Sequence, residues 1–237
     1  MGKLKFRTHF LLLLIGTFVS FNCFAQDEKA DEKQYPQHDL TPAPPANEEI
    51  LYKGSLELGG GIVYPITNKA LRTTFNGIYS GHFSANYIFA PHILGGVELE
   101  NTQFGSNGLE APYSTSMLIF NAGLKIGYYT FMQNDFLFVY SISGGPSLIT
   151  YNKTPNAAPK GGFKQNSFFI TPNWLASYRV NNELRIGLDI TVGVMGLKFD
   201  PAFTGLDKYI GPIETNTITT FWEWGFGLYW AFSEAKK

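Results

Sequence analysis

From Leu51 to the end of the chain, apolar and polar residues alternate at every second position. That is the period of half-buried strands, not the 3.6-residue period of helices. The last such stretch, "TTFWEWGFGLYWAF", shows it most clearly. One parity holds Thr220, Trp222, Trp224, Phe226, Leu228, Trp230 and Phe232. The other holds Thr219, Phe221, Glu223, Gly225, Gly227, Tyr229 and Ala231, a smaller and more polar set.

Seven earlier stretches follow the same grammar. "YKGSLELGGGIVY" puts Leu56, Leu58, Gly60, Ile62 and Tyr64 on one face. "FNGIYSGHFSANYIF" sets Phe75, Tyr79, Phe83, Ala85, Tyr87 and Phe89 against Asn76, Ser80, His82, Ser84 and Asn86. "ILGGVELENTQF" opposes Ile93, Val97 and Leu99 to Glu98 and Glu100, and the stretch after it opposes Leu118, Phe120, Leu124 and Ile126 to Asn121 and Lys125. "FLFVYSISGGPSLITY" places Phe136, Phe138, Tyr140 and Ile142 opposite Ser141 and Ser143. "NSFFITPNWLASYRV" places Phe168, Ile170, Trp174 and Tyr178 opposite Thr171, Asn173, Ser177 and Arg179. "LRIGLDITVGVMGLKF" places Ile186, Leu188, Ile190 and Val192 opposite Arg185, Asp189 and Thr191. Eight antiparallel strands are predicted.

The connections alternate as well. "APH", "MQND" and "VNNE" are tight, whereas "PITNKALRTT", "GSNGLEAPY", "NKTPNAAPKGG" and "DPAFTGLDKYIGPIETN" are long. Tight turns at one end and long loops at the other are the layout of an up-and-down transmembrane barrel. In lipid every backbone polar group needs a partner within the protein, so strands can span only as a closed barrel. The expected fold is all-β, an eight-stranded antiparallel up-and-down transmembrane β-barrel over residues 51–237, with its large apolar parity toward lipid. Trp174, Trp222, Trp224, Trp230 and Phe232 would form an aromatic membrane face. The competing arrangement is a soluble lipocalin-like barrel with the apolar parity inward, but that bulk exceeds what a narrow eight-stranded interior holds. Pro146 and Pro172, each about one spanning strand length of ~9–11 residues above a tight turn, are expected at the outer rim.

What precedes the alternating region reads differently. Lys3, Lys5 and Arg7 followed by "FLLLLIGTFVSF" and "NCFAQ" form an export signal, with cleavage expected after Ala25. The apolar run is short of the ~20 residues of a spanning helix. Cys23 is the only cysteine, and Phe21 and Asn22 ahead of it do not suit a lipidated cysteine. Residues 26–50 are charged, proline-rich and nearly free of apolar side chains, which predicts a disordered periplasmic tail.

Composition narrows the functions. The chain has 237 residues and a net charge of -1, so it lacks the basic excess that nucleic-acid binding needs. Aromatic residues reach 16% and glycines number 25, a combination that suits barrels. His9, His38, His82 and His92 show no metal-ligand spacing, and Gly59–Gly61 lacks the Lys-Ser/Thr of a phosphate loop, so no metal or other cofactor is expected.

The export signal, the eight alternating stretches and the aromatic-rich last strand together resemble the small outer-membrane β-barrels of Gram-negative bacteria, the OmpA-type and OmpX-type barrels. The resemblance spans Leu51 to Phe232. It implies the bacterial outer membrane as location, lipid and lipopolysaccharide as surroundings, and handling by the outer-membrane assembly machinery. Such barrels usually end on an aromatic residue; Phe232 fits, although "SEAKK" follows it. A peptidoglycan-binding domain of the kind that larger relatives carry is not expected.

The inward parity gathers Glu57, Glu98, Glu100, Lys125, Arg179, Arg185, Asp189 and Glu223, with His82. Buried charges must pair, so a structural ion-pair network filling the lumen is expected, with Glu98 and Lys125 as partners. His82 with Ser80 and Ser84 on its own face offers a weak nucleophile reading, because residues two apart on one strand stand several ångströms from each other. Three functions remain open: a non-enzymatic barrel that supports the envelope or presents surface loops, a small-solute or ion pore, and a lipid-modifying enzyme. The longest loop keeps Phe203, Leu206, Tyr209, Ile210 and Ile213, which either cap the barrel mouth or form a candidate binding surface for an extracellular ligand. A monomer is expected.

Overall fold

A computed structural model of the chain describes residues 52–106, 114–132, 135–153, 163–181, 183–207 and 217–233. The expected export signal, the expected tail over 26–50, Cys23, and Tyr209, Ile210 and Ile213 of the longest loop lie outside the described residues.

The strands are β1 (Tyr52–Pro65), β2 (Phe75–Ala90), β3 (Ile93–Ser106), β4 (Thr115–Met132), β5 (Phe136–Lys153), β6 (Phe163–Arg179), β7 (Leu184–Met195) and β8 (Thr219–Ser233). Each pairs antiparallel with its sequence neighbour, and β8 returns to β1, with Leu58 opposite Leu228 and Ile62 opposite Trp224. The result is a closed eight-stranded barrel without a free edge. The tight turns and both chain ends of the barrel share one rim, and the long connections share the other.

The period-two pattern becomes two surfaces. Along β8, Thr219, Phe221, Glu223, Gly225, Gly227, Tyr229 and Ala231 are buried, and Trp222, Trp224, Phe226, Leu228, Trp230 and Phe232 are exposed. The exterior is apolar all round: Leu124 is 74% exposed and Phe168 75%. Aromatic rings gather near the tight-turn rim, where Tyr87, Phe89, Tyr128, Phe136, Tyr178 and Trp230 face outward. Tyr64, Tyr79 and Trp222 do the same toward the other end, with aliphatic side chains such as Leu58, Leu99 and Ile126 between the two groups.

The interior is layered along the barrel. At the tight-turn end a cluster of Leu94, Tyr129, Leu137, Val139, Leu175, Tyr229 and Ala231 fills the lumen. At the loop end a larger cluster includes Val63, Phe75, Phe104, Met117, Ile119, Ile149, Tyr151, Phe169 and Phe221. Polar and charged side chains occupy the layer between. The sequence pattern marks the inward parity as polar, but these two apolar plugs are as much a part of it.

Two short helices close the loop end. Helix α1 (Lys69–Thr74) starts at Asn68, whose side chain accepts from the Leu71 amide and donates to Thr219 Oγ1 at 3.0 Å. Its Ala70 and Leu71 are fully buried in the outer plug. A 3-10 helix (Pro201–Thr204) follows β7 and ends at Gly205, which has a φ of 73°, a left-handed conformation that glycine adopts without steric cost.

Two expectations need correction. The two-residue repeat puts Phe75 outward, but it is buried and Asn76 is exposed. A register shift between Gly77 and Tyr79 leaves Ile78 as an extra residue, so the parity inverts below it. Pro146 and Pro172 lie inside their strands rather than at the strand ends: β5 runs on to Lys153, and β6 begins nine positions before Pro172, at Phe163. The ladder is interrupted beside each of them, between Asn121↔Ser147 and Leu124↔Gly144 on one side and between Ile170↔Val194 and Asn173↔Thr191 on the other. Each proline thus turns its missing N–H toward a gap in the ladder.

Candidate functional site: the polar layer of the lumen

The middle layer is held on neighbouring strands whose inward side chains meet across a narrow bore. Lys125 on β4 is its centre. The Lys125 ammonium donates to Glu57 Oε2 at 2.8 Å and to Ser84 Oγ at 3.1 Å, and Glu98 Oε2 lies at 3.0 Å. Glu98 also accepts from Ser143, and Glu57 from Ser84. A charge buried this far from water is tolerable only when paired and hydrogen-bonded, and Lys125 meets both conditions with two carboxylates rather than one.

His82 extends the cluster. Its Nε2 stands 3.4 Å from Glu57 Oε1 and 3.2 Å from Asp189 Oδ2. Asp189 is further held by Asn173 Nδ2 and sits 3.5 Å from Thr191 Oγ1. Gly59 makes this approach possible, since a Cβ there would collide with the His82 ring and the Asp189 carboxylate. Glu57, His82 and Asp189 present one ligand atom each within 4.8 Å of one another, so the trio could hold a metal ion. No sequence spacing could reveal it, because positions 57, 82 and 189 are brought together only by barrel closure.

The remaining sequence-derived candidates divide. Glu100 Oε2 accepts from Asn121 Nδ2 at 3.0 Å, and Glu100 Oε1 accepts from Thr102 Oγ1 at 3.1 Å. Glu223 is buried on β8 with the Ser80 hydroxyl as its partner. Arg179 and Arg185 do not join the central cluster. Arg185 donates to the Asp135 carbonyl at 2.9 Å and lies 5.1 Å over the Phe131 ring, in the tight-turn plug. Arg179 pairs with Asp135 at 3.5 Å at the same end. Both lie within one or two residues of a tight turn, too low on their strands to reach Lys125.

The His82 nucleophile reading finds no support in the hydrogen bonds. Ser80 Oγ bonds to Thr102 Oγ1 at 2.9 Å and Ser84 Oγ donates to Glu57 at 3.3 Å, while His82 addresses two carboxylates. Activation requires the base to bond the nucleophile itself. In the longest loop, Leu206 is fully buried, and Phe203 stacks on Phe163 with centroids 4.2 Å apart and packs against the outer plug. Both lie in the cap over the barrel mouth. On the outside, Trp174, Trp222, Trp224, Trp230 and Phe232 all belong to outward positions, and Trp230 Nε1 donates to Glu183 in the β6–β7 turn at 3.0 Å. An indole with its N–H in the polar rim and its body on the apolar surface is the posture of an interfacial tryptophan.

No known protein family's profile matches the chain, and no curated protein sequence does. Among solved structures it is similar to Neisserial surface protein A, at 13% identity and a TM-score of 0.47, over 76% of this chain and 97% of that one. It is similar also to the outer membrane protein OprG from Pseudomonas aeruginosa, at 14% identity and a TM-score of 0.44, over 77% and 98%. Ail, the attachment invasion locus protein of Yersinia pestis, matches at 9% identity and a TM-score of 0.44, over 76% and 99%.

Proposed function

We propose that the protein is a non-enzymatic β-barrel of the bacterial outer membrane, with a lumen filled by side chains, that supports the envelope or presents surface loops to an extracellular partner. One observation carries this reading. The exterior is apolar and the interior charged, yet that charged layer lies between two apolar clusters that fill the bore above and below it. A water-soluble carrier would have the opposite surface chemistry, and an open pore would need a continuous polar path. In this reading the first 25 residues direct export and are removed, and residues 26–50 remain as a periplasmic tail. Lipid and lipopolysaccharide surround a monomeric barrel, and the assembly machinery inserts it through its aromatic last strand.

Conductance of the purified, refolded protein in a planar lipid bilayer tests the sealed lumen. The expected trace lacks steady, large unit steps. Reproducible single-channel steps would replace this reading with that of a pore.

A further inference from the structure

The charges of the polar layer do not balance. Five buried carboxylates, from Glu57, Glu98, Glu100, Asp189 and Glu223, face one ammonium and one imidazole. Glu57, Glu98 and Asp189 lie against those two cations. Glu100 and Glu223 do not: their bonded partners are the neutral side chains of Asn121, Thr102 and Ser80. Two such carboxylates cannot both stay ionised in a closed bore without a compensating positive charge.

Both line a cavity of about 10 Å³ just beneath the outer plug, together with Asn121 and Thr171. Asn121 Oδ1 and Thr171 Oγ1 are buried and have no hydrogen-bond partner, and the two residues are 3% and 2% exposed. A buried oxygen left unpaired calls for a partner, and both residues line this cavity. The space admits about one water-sized particle. Its polar lining comes from Glu100, Glu223, Asn121 and Thr171 with Thr102 and Thr191, all bearing side-chain oxygens, beside apolar groups such as Val63, Phe169, Met195 and Phe221. Each oxygen of Glu100 accepts one hydrogen bond and retains a further lone pair.

We propose that Glu100, Glu223, Asn121 and Thr171 form a binding site for one hard divalent cation of the calcium class. Oxygen-only donor sets select hard cations, and two carboxylates neutralise one divalent charge. The site is distinct from the neighbouring Glu57–His82–Asp189 group, where an imidazole replaces one oxygen and Lys125 already supplies positive charge. Bound there, the ion would tie β3, β4, β6 and β8 together at the floor of the outer plug.

Terbium, a luminescent stand-in for calcium, provides the test. Trp222 and Trp224 flank Glu223 and can sensitise its emission. The barrel is refolded into detergent free of lipopolysaccharide, once with calcium or terbium and once with chelator. Expected are sensitised emission at one ion per barrel, its loss on competition by calcium, and its loss in Glu223→Gln and Glu100→Gln. Calcium at a hundredfold excess over its Kd should raise the folded-to-unfolded ratio about a hundredfold in the parent and leave the glutamine variants unmoved. Thr171→Val keeps both charges and the side-chain shape, so it should weaken calcium several-fold even if the glutamine variants do not fold. No emission, or emission equal in parent and Thr171→Val, overturns the site. So does a parent whose stability is blind to calcium, which would leave a shared proton as the compensating charge.

Discussion

Lys125 shows how a single side chain can be more committed than its sequence context implies. Its alternation places it inward and its height above a tight turn pairs it with Glu98, but Glu57 arrives from across the bore and takes the shorter contact. Lys125→Ala leaves buried Glu98 without a cation and Glu57 with His82 alone. Breaking a buried pair in this way costs ~3–5 kcal/mol, and the expected outcome is a loss of that order in the denaturant unfolding of the refolded barrel. Adding Glu98→Gln should recover only part of it, because Glu57 still lacks its shorter contact, the one to the lysine. Full recovery in the double variant would show that the Glu57 contact carries no energy, and a parent-like single variant would show that the lysine is not buried.

At the scale of elements, the described parts of two long connections matter as lids as much as loops. Helix α1 presses Leu71 into the outer plug, and Leu206, just after the 3-10 helix, is fully buried. A residue that only solvates a loop changes stability little when truncated. Leu206→Ala should instead cost about 2–5 kcal/mol, the range for truncating a buried leucine, measured by the same unfolding experiment. Stability within error of the parent would return Leu206 to the loop surface. The strands carry the converse lesson. The inversion at Ile78, the shifts between Ile88 and Ala90 and between Tyr52 and Gly54, and the ladder gaps beside the two prolines are local departures from the two-residue repeat. A repeat read along one strand cannot register them, because a bulge exists only relative to its partner strand.

For the whole molecule, the decisive property is a surface turned inside out. If lipid covers the exterior, a charge placed there must be dehydrated. Leu124→Arg, near the middle of β4 on the outward face, should destabilise the barrel by ~2–4 kcal/mol when it is folded into lipid vesicles, the depth-dependent cost at a bilayer midplane. An arginine tolerated there without loss would contradict burial of this face in lipid. Two apolar plugs with a charged layer between them also make the lumen a core rather than a passage, and this underlies the expectation of a non-conducting barrel.

The sequence by itself determined the number of strands, their antiparallel order and which parity faces outward. Each of these depends only on the two-residue repeat and on the lengths of the connections. It also placed Glu57, Glu98, Glu100, Lys125, Asp189 and Glu223 inward, since parity is a local property of a strand. Only the tertiary structure decided which of them meet. Glu57 and Lys125 are 68 positions apart, and His82 reaches an aspartate more than a hundred residues away. Those contacts depend on how far each strand is staggered as the sheet closes, and stagger is fixed by β1 meeting β8 rather than by any one stretch of chain. The same closure set Arg179 and Arg185 apart from the central layer and enclosed the cavity between Glu100 and Glu223. A barrel's walls can be read strand by strand, whereas its interior exists only once the last strand has found the first.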